Sequence, residues 1–142
     1  MSRANRLQIV EKLARQREDQ AAQALAQVRT QLEQENKRLD ELHQYQTEYQ
    51  QYLDTQGGQG ISMAQWRRTQ GFIDQLSSLI VRQQETINGW QQREEFILGK
   101  WRELYQKRKN IAQYIEKISL GEAIADDKKE QKVIDELVSR RF

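Results

Sequence analysis

Two series of apolar residues with heptad spacing, separated by one cluster of glycines, constrain this chain more than any other feature. Before the glycines, Leu7, Ala14, Ala21, Val28, Glu35, Leu42 and Tyr49 recur every seventh residue, and Glu35 alone is charged; Leu25, Leu32, Leu39 and Leu53 supply the companion series. After them, sixteen positions from Trp66 to Ile118 alternate spacings of three and four, and twelve are apolar. Residues so spaced fall on one stripe of an α-helix, and a stripe that keeps a seven-residue period over many turns is buried against another helix as a coiled-coil seam. No proline interrupts either run, and one internal proline would cost such a helix about 3 kcal/mol.

The break is Asp54-Thr55-Gln56-Gly57-Gly58-Gln59-Gly60, which reads as a loop. Ser62 then offers an N-cap oxygen, Gln65 completes a capping box, and Ile61 and Trp66 stand at the flanking positions of a hydrophobic staple. The expected fold is all-α: two long helices forming an antiparallel coiled-coil hairpin with a C-terminal helical overhang, in one coiled-coil domain. Helix one is expected over about 3–54, the loop over 55–61, helix two over about 62–119, and a tail over 120–142 that either continues helical or breaks at Gly121.

A loop centred near Gly58 would set opposite each other residues whose numbers total about 117. Trp101 and Ile97 would then face the region of Ala14 and Ala21, and Trp90 would face Val28, so that bulky side chains meet small ones. Helix two would run out of partner near residues 110–115. The remainder carries Val133, Ile134, Leu137 and Val138, then Arg140, Arg141 and Phe142, an amphipathic tail of the kind that packs on a partner.

Composition supports helix and excludes much else. Only 37% of residues are hydrophobic and 31% are charged, with a mean hydropathy of -0.98, which is too little apolar material for a compact globular core. The 23 glutamines, with Ala, Leu, Glu, Lys and Arg, lose little rotamer freedom in a helix. The N-terminus lacks the apolar stretch of a signal peptide, and no window approaches the ~18 apolar residues of a membrane span. With no cysteine, these features lead us to expect a cytoplasmic protein. The net charge of +2 is unevenly spread: residues 1–17 carry five bases and one acid, and residues 100–119 six bases and two acids.

The residues offer no catalytic, cofactor-binding or metal-binding constellation. His43 is the only histidine, and without cysteine it can join neither a His/Cys metal cluster nor an ordinary Ser-His or Cys-His nucleophile. The acid pairs Asp40-Glu41, Glu94-Glu95 and Asp126-Asp127 are adjacent in sequence, so they splay about 100° apart on a helix and read as solvated faces. Gly57 to Gly60 lack the Lys and Ser/Thr of a phosphate loop. Glu35, Gln83, Glu94 and Arg108 interrupt the seams, and polar seam residues of this kind fix register at a cost in stability.

The informative excess is aromatic. Leu42, Tyr45, Tyr49 and Tyr52 form a stripe on helix one, and Phe72, Leu76, Leu79 and Gln83 form another on helix two. With facing numbers totalling 117, Tyr45 meets Phe72 and Leu42 meets Leu76. A two-helix seam is narrower than these stripes, so apolar surface is left over, either to thicken the seam, to dimerise the hairpin, or to bind a partner.

With these residues in view, the chain resembles the FliJ family, the small coiled-coil component of the flagellar type III export apparatus. Tyr45-Gln46, Tyr49, Gly60-Ile61, Trp66, Gln70, Phe72-Ile73, Leu76, Ile80, Gln83, Trp90 and Trp101-Arg102-Glu103 carry the likeness in one colinear block around the loop. The resemblance implies a factor peripheral at the cytoplasmic face of the inner membrane and similar to the central stalk of rotary ATPases. Such a protein has no catalysis of its own; it binds and promotes the hexameric export ATPase, touches the export gate protein FlhA and escorts export chaperones. The family's gate-binding patch would fall on Leu42, Tyr45, Tyr49, Phe72, Leu76, Leu79 and Gln83. The tail after Gly121 matches only loosely, so no ATPase contact is carried over.

Two other classes stay open at this point. A structural spacer or dimerisation module would use the stripes for self-association. An RNA-binding helical hairpin would use the basic open end, against which the low net charge and the acids of the middle segment argue.

Overall fold

A computed structural model of the chain describes residues 3–141. Phe142 and the side chains of Arg140 and Arg141, part of the expected tail, lie outside the described residues. Two helices account for the described structure: α1, Arg3–Gln59, and α2, Met63–Arg141. They pack against each other and run antiparallel, as the heptads require.

α1 continues five residues past the expected end, through Gly57 and Gly58. Each glycine costs a helix about 1 kcal/mol relative to alanine, but neither blocks it, and buried Leu53 with half-buried Gln56 keeps the seam engaged there. Of the three glycines only Gly60 lies outside the helix, at φ 83°, as the left-handed residue that ends it. Ser62 caps α2 as its sequence predicts: the Gln65 N–H donates to Ser62 Oγ at 3.1 Å, and the Trp66 N–H to the Ser62 carbonyl at 3.0 Å.

The loop is therefore three residues centred on Ile61, and next to it the contacts across the hairpin are displaced from the expected total of 117, to 121 for Tyr49 with Phe72 and 123 for Gln46 with Ser77, while Glu35 and Gln83 farther along total 118. This shift replaces the expected Tyr45–Phe72 pair: Phe72 meets Tyr49, with ring centroids 4.8 Å apart and an edge-on angle of 69°.

The chain forms two compact units. In Gln23–Leu98, the seam buries Leu25, Val28, Leu32, Leu53, Ile73, Leu76, Ile80 and Ile87. Val28, Leu32 and Ile87 form a buried cluster, against which Leu39, Trp90 and Ile97 pack, so the expected Trp90–Val28 neighbourhood is observed. Burying each such side chain is worth about 1.5–3 kcal/mol. The second unit, Met1–Ala22 with Gly99–Phe142, buries Ala14 and Ile115 and stacks Trp101 on Tyr105 at 5.4 Å. Its α2 segment runs unbroken through Gly121, and Leu120, Ile124, Val133, Ile134, Leu137 and Val138, which follow Tyr114, are exposed; Tyr114 Oη accepts from the Arg3 guanidinium at 2.8 Å.

Candidate functional site: an aromatic edge beside polar seam layers

In an antiparallel pair each helix presents the seam and two flanking edges. Near the loop these edges differ in kind. One is polar: Gln46 donates to Ser77 Oγ at 2.6 Å and to the Ile73 carbonyl at 3.5 Å, in a shallow groove shared with Gln50, Gln70 and Asp74. The other is aromatic. Tyr45, Tyr49 and Tyr52 line a depression of about 300 Å³ with Glu48, Phe72 closes on Tyr49, and Leu79, seven residues on from Phe72, falls on the same face of α2.

Of the seven residues singled out from sequence, Tyr45, Tyr49, Phe72 and Leu79 are 39–52% exposed. Leu76 is 4% exposed and belongs to the core, while Leu42 and Gln83 are half-buried at the seam. The structure therefore brings four of the seven to one surface and places the other three beneath it. Tyr52, with 45% exposure, joins the same edge.

The polar interruptions of the two seams find one another. Gln83 Nε2 donates to Glu35 Oε2 at 2.5 Å and to the Glu35 carbonyl at 2.9 Å. Gln31 and Arg38, one turn to either side, donate to Glu35 Oε1 at 2.9 and 3.1 Å. These donors, Gln83 foremost, hold the Glu35 carboxyl below its ordinary pKa against the upward push of burial. Arg108 pairs with the carboxylate of Glu18 and lies over the ring of Tyr105 at 5.3 Å; the Glu18 contact pushes its pKa up, so it stays charged. Glu94 stands 3.8 Å from Arg29, and Arg93 covers Trp90 at 4.8 Å. Glu18 was not singled out from sequence, and Gln46 entered only with Tyr45 in the family resemblance, not as a seam residue. Their signal was present, since both stand at seam positions of the α1 heptad.

His43 is exposed, and its carbonyl accepts from Thr47 Oγ1 at 2.9 Å. Among the described residues no group of His, Cys, Asp and Glu is arranged to hold a metal ion, and no helix is long and apolar enough to cross a membrane.

An all-α hairpin with one aromatic edge, one polar edge and hydrogen-bonded polar seam layers belongs to the coiled-coil class of proteins. The comparisons narrow this. The family model described as flagellar FliJ protein matches residues 2–142, and the chain belongs to that family, a component of the flagellar export apparatus and not a known enzyme. It is 29% identical over 140 residues to the flagellar FliJ proteins of Escherichia coli (strain K12) and Salmonella typhi, covering 99% of this chain and 95% of each relative. No solved structure matches the chain significantly.

Proposed function

We propose that the chain is a cytoplasmic flagellar export factor that joins two partners. Its aromatic edge contacts the export gate protein FlhA, its basic open end binds and promotes the hexameric export ATPase in the manner of a central stalk, and it escorts export chaperones. The observation that carries the reading is the exposed cluster of Tyr45, Tyr49, Phe72 and Leu79 on one edge of a hairpin that belongs to the FliJ family. Large aromatic side chains held rigid by a helix, two of them already in edge-to-face contact, are the anchors from which hot spots are built. Leu42, Leu76 and Gln83 serve the same surface from below, by fixing where the exposed rings stand.

The open end supports the second contact through its charge. Arg3, Arg6, Lys107 and Lys109 add to a local excess of bases that would be drawn to a carboxylate-lined pore. The test is capture of the purified gate cytoplasmic domain by the wild-type chain and by a Tyr45/Tyr49/Phe72 alanine variant of equal helicity. Capture by the wild type alone supports the reading, and equal capture removes it.

A further inference from the structure

Within the unit formed by Met1–Ala22 and Gly99–Phe142, α1 and α2 flank a groove of about 190 Å³. Its floor is apolar, made by Val10, Leu13, Ala14, Leu104 and Ile111, and its polar rim is Arg17 on α1 and Lys107 on α2. Val10 and Leu13 are 46% and 53% exposed, although both are large apolar residues beside a seam that could have covered them.

The rim is electrostatically one-sided. Arg17 and Lys107 are both exposed, and among the described residues neither has an ion-pair partner, whereas Arg15 and Arg108 in the same unit are paired with Glu11 and Glu18. Two cations lining one groove repel each other and add nothing to the folding of the hairpin. A carboxylate placed between them would relieve that repulsion, and apolar side chains next to it would cover Val10 and Leu13.

We propose that this groove is a docking site for an acidic amphipathic helix. Such a helix lays apolar residues, spaced three and four apart, along Val10, Leu13 and Leu104, and turns Asp or Glu on its flank toward Arg17 and Lys107. Two features favour a protein helix over the other anionic surfaces. The apolar floor lies between two helices, where a third helix fits by the same ridge-and-groove packing and a flat bilayer does not follow. A nucleic-acid backbone would meet the two cations but would leave the apolar floor against polar phosphates. The inference shares Lys107 with the proposed ATPase contact but goes beyond it, because it identifies a partner by its chemistry and is tested with a peptide in the absence of gate and ATPase.

The test uses the full chain and a dye-labelled helical peptide of about 18 residues with Leu along its core stripe and Glu on both flanks, read by fluorescence anisotropy. A second peptide carries Lys in place of Glu. The Glu peptide should bind about tenfold more tightly than the Lys peptide, and Arg17→Glu with Lys107→Glu should erase or invert that preference. Arg102→Glu with Lys117→Glu, an equal charge change off the groove, should leave the Glu peptide within about twofold of the wild type. Leu13→Ser should weaken both peptides while thermal unfolding shows the hairpin intact. The proposal is overturned if both peptides bind alike or if the off-groove reversal weakens binding as much as the rim reversal. It is equally overturned if sedimentation shows a second copy filling the groove in a dimer lost with Leu13→Ser, or if vesicles of phosphatidylcholine and phosphatidylglycerol bind in an Arg17/Lys107-dependent way while the Glu peptide does not.

Discussion

Gln83 reaches from α2 to donate both to the carboxylate and to the main-chain carbonyl of Glu35 on α1, at 2.5 and 2.9 Å. No buried side-chain polar atom among the described residues is left without a partner, so this layer is satisfied in the observed alignment. Slipping one helix by a heptad would move the buried carboxylate away from its amide, and that is how a polar layer selects register. Glu35→Ala and Gln83→Ala should each lower unfolding stability by about 1–3 kcal/mol. The double variant Glu35→Leu/Gln83→Leu should recover or exceed wild-type stability while losing alignment specificity. Urea unfolding of the four chains checks the first claim, and cross-linking of cysteine pairs introduced in the observed and slipped registers checks the second.

The same layer makes stability depend on pH. The folded-state pKa of Glu35 lies below its ordinary value of 4.5, so its contribution is fully present above that value and is lost as pH falls through the folded pKa. The stability difference between the wild type and Glu35→Gln should therefore be constant near neutrality and shrink below about pH 4.5. Urea midpoints over a pH series give the curve, and a difference that grows on acidification would contradict the assignment.

Three glycines near the loop should respond in opposite senses. Gly57 and Gly58 are helical with nothing within 4 Å of an added Cβ, so alanine should stabilise the chain by about 0.5–1 kcal/mol at each. Gly60 has equal space but stands at φ 83°, where a Cβ is strained, and Gly60→Ala should destabilise by about 1 kcal/mol. Thermal unfolding separates the two responses.

Leu76 and Leu79 are three residues apart on α2 and should behave differently. Leu76, 4% exposed, fills the seam, and Leu76→Ala should cost about 2–5 kcal/mol. Leu79 is 43% exposed, and Leu79→Ala should change stability by no more than about 0.5 kcal/mol while weakening capture of the gate domain. Loss of gate capture by Leu76→Ala therefore has to be read against its unfolding curve.

The helices, their direction and the Ser62 cap were legible because each rests on a local or periodic signal: spacing from Leu7 to Leu53 and from Trp66 to Ile118, and Ser62 with Gln65. The register was less so. Glycine marks where a chain can turn, yet Gly57 and Gly58 remained helical because the neighbouring seam held them, and the turn narrowed to Gly60–Ser62. Moving the centre from Gly58 to Ile61 exchanged Tyr45 for Tyr49 as the partner of Phe72. The aromatic stripe was visible as composition, and the heptads already set Leu42, Leu76 and Gln83 at seam positions and Tyr45, Tyr52, Phe72 and Leu79 off them, which is why Leu76 lies in the core and Tyr52 on the surface. The match of Glu35 with Gln83 and of Glu18 with Arg108 was not legible, since each polar seam residue looks alike until its partner across the seam is known.

The central claim is that the aromatic edge and the basic open end serve different partners. It is tested most directly by measuring, on the same preparations, binding to the gate cytoplasmic domain and stimulation of the purified export ATPase. The account predicts that Tyr49→Ala/Phe72→Ala abolishes gate binding and leaves ATPase stimulation intact, while reversal of Arg3, Arg6, Lys107 and Lys109 does the opposite. Loss of both activities in either folded variant, or of neither, would contradict it.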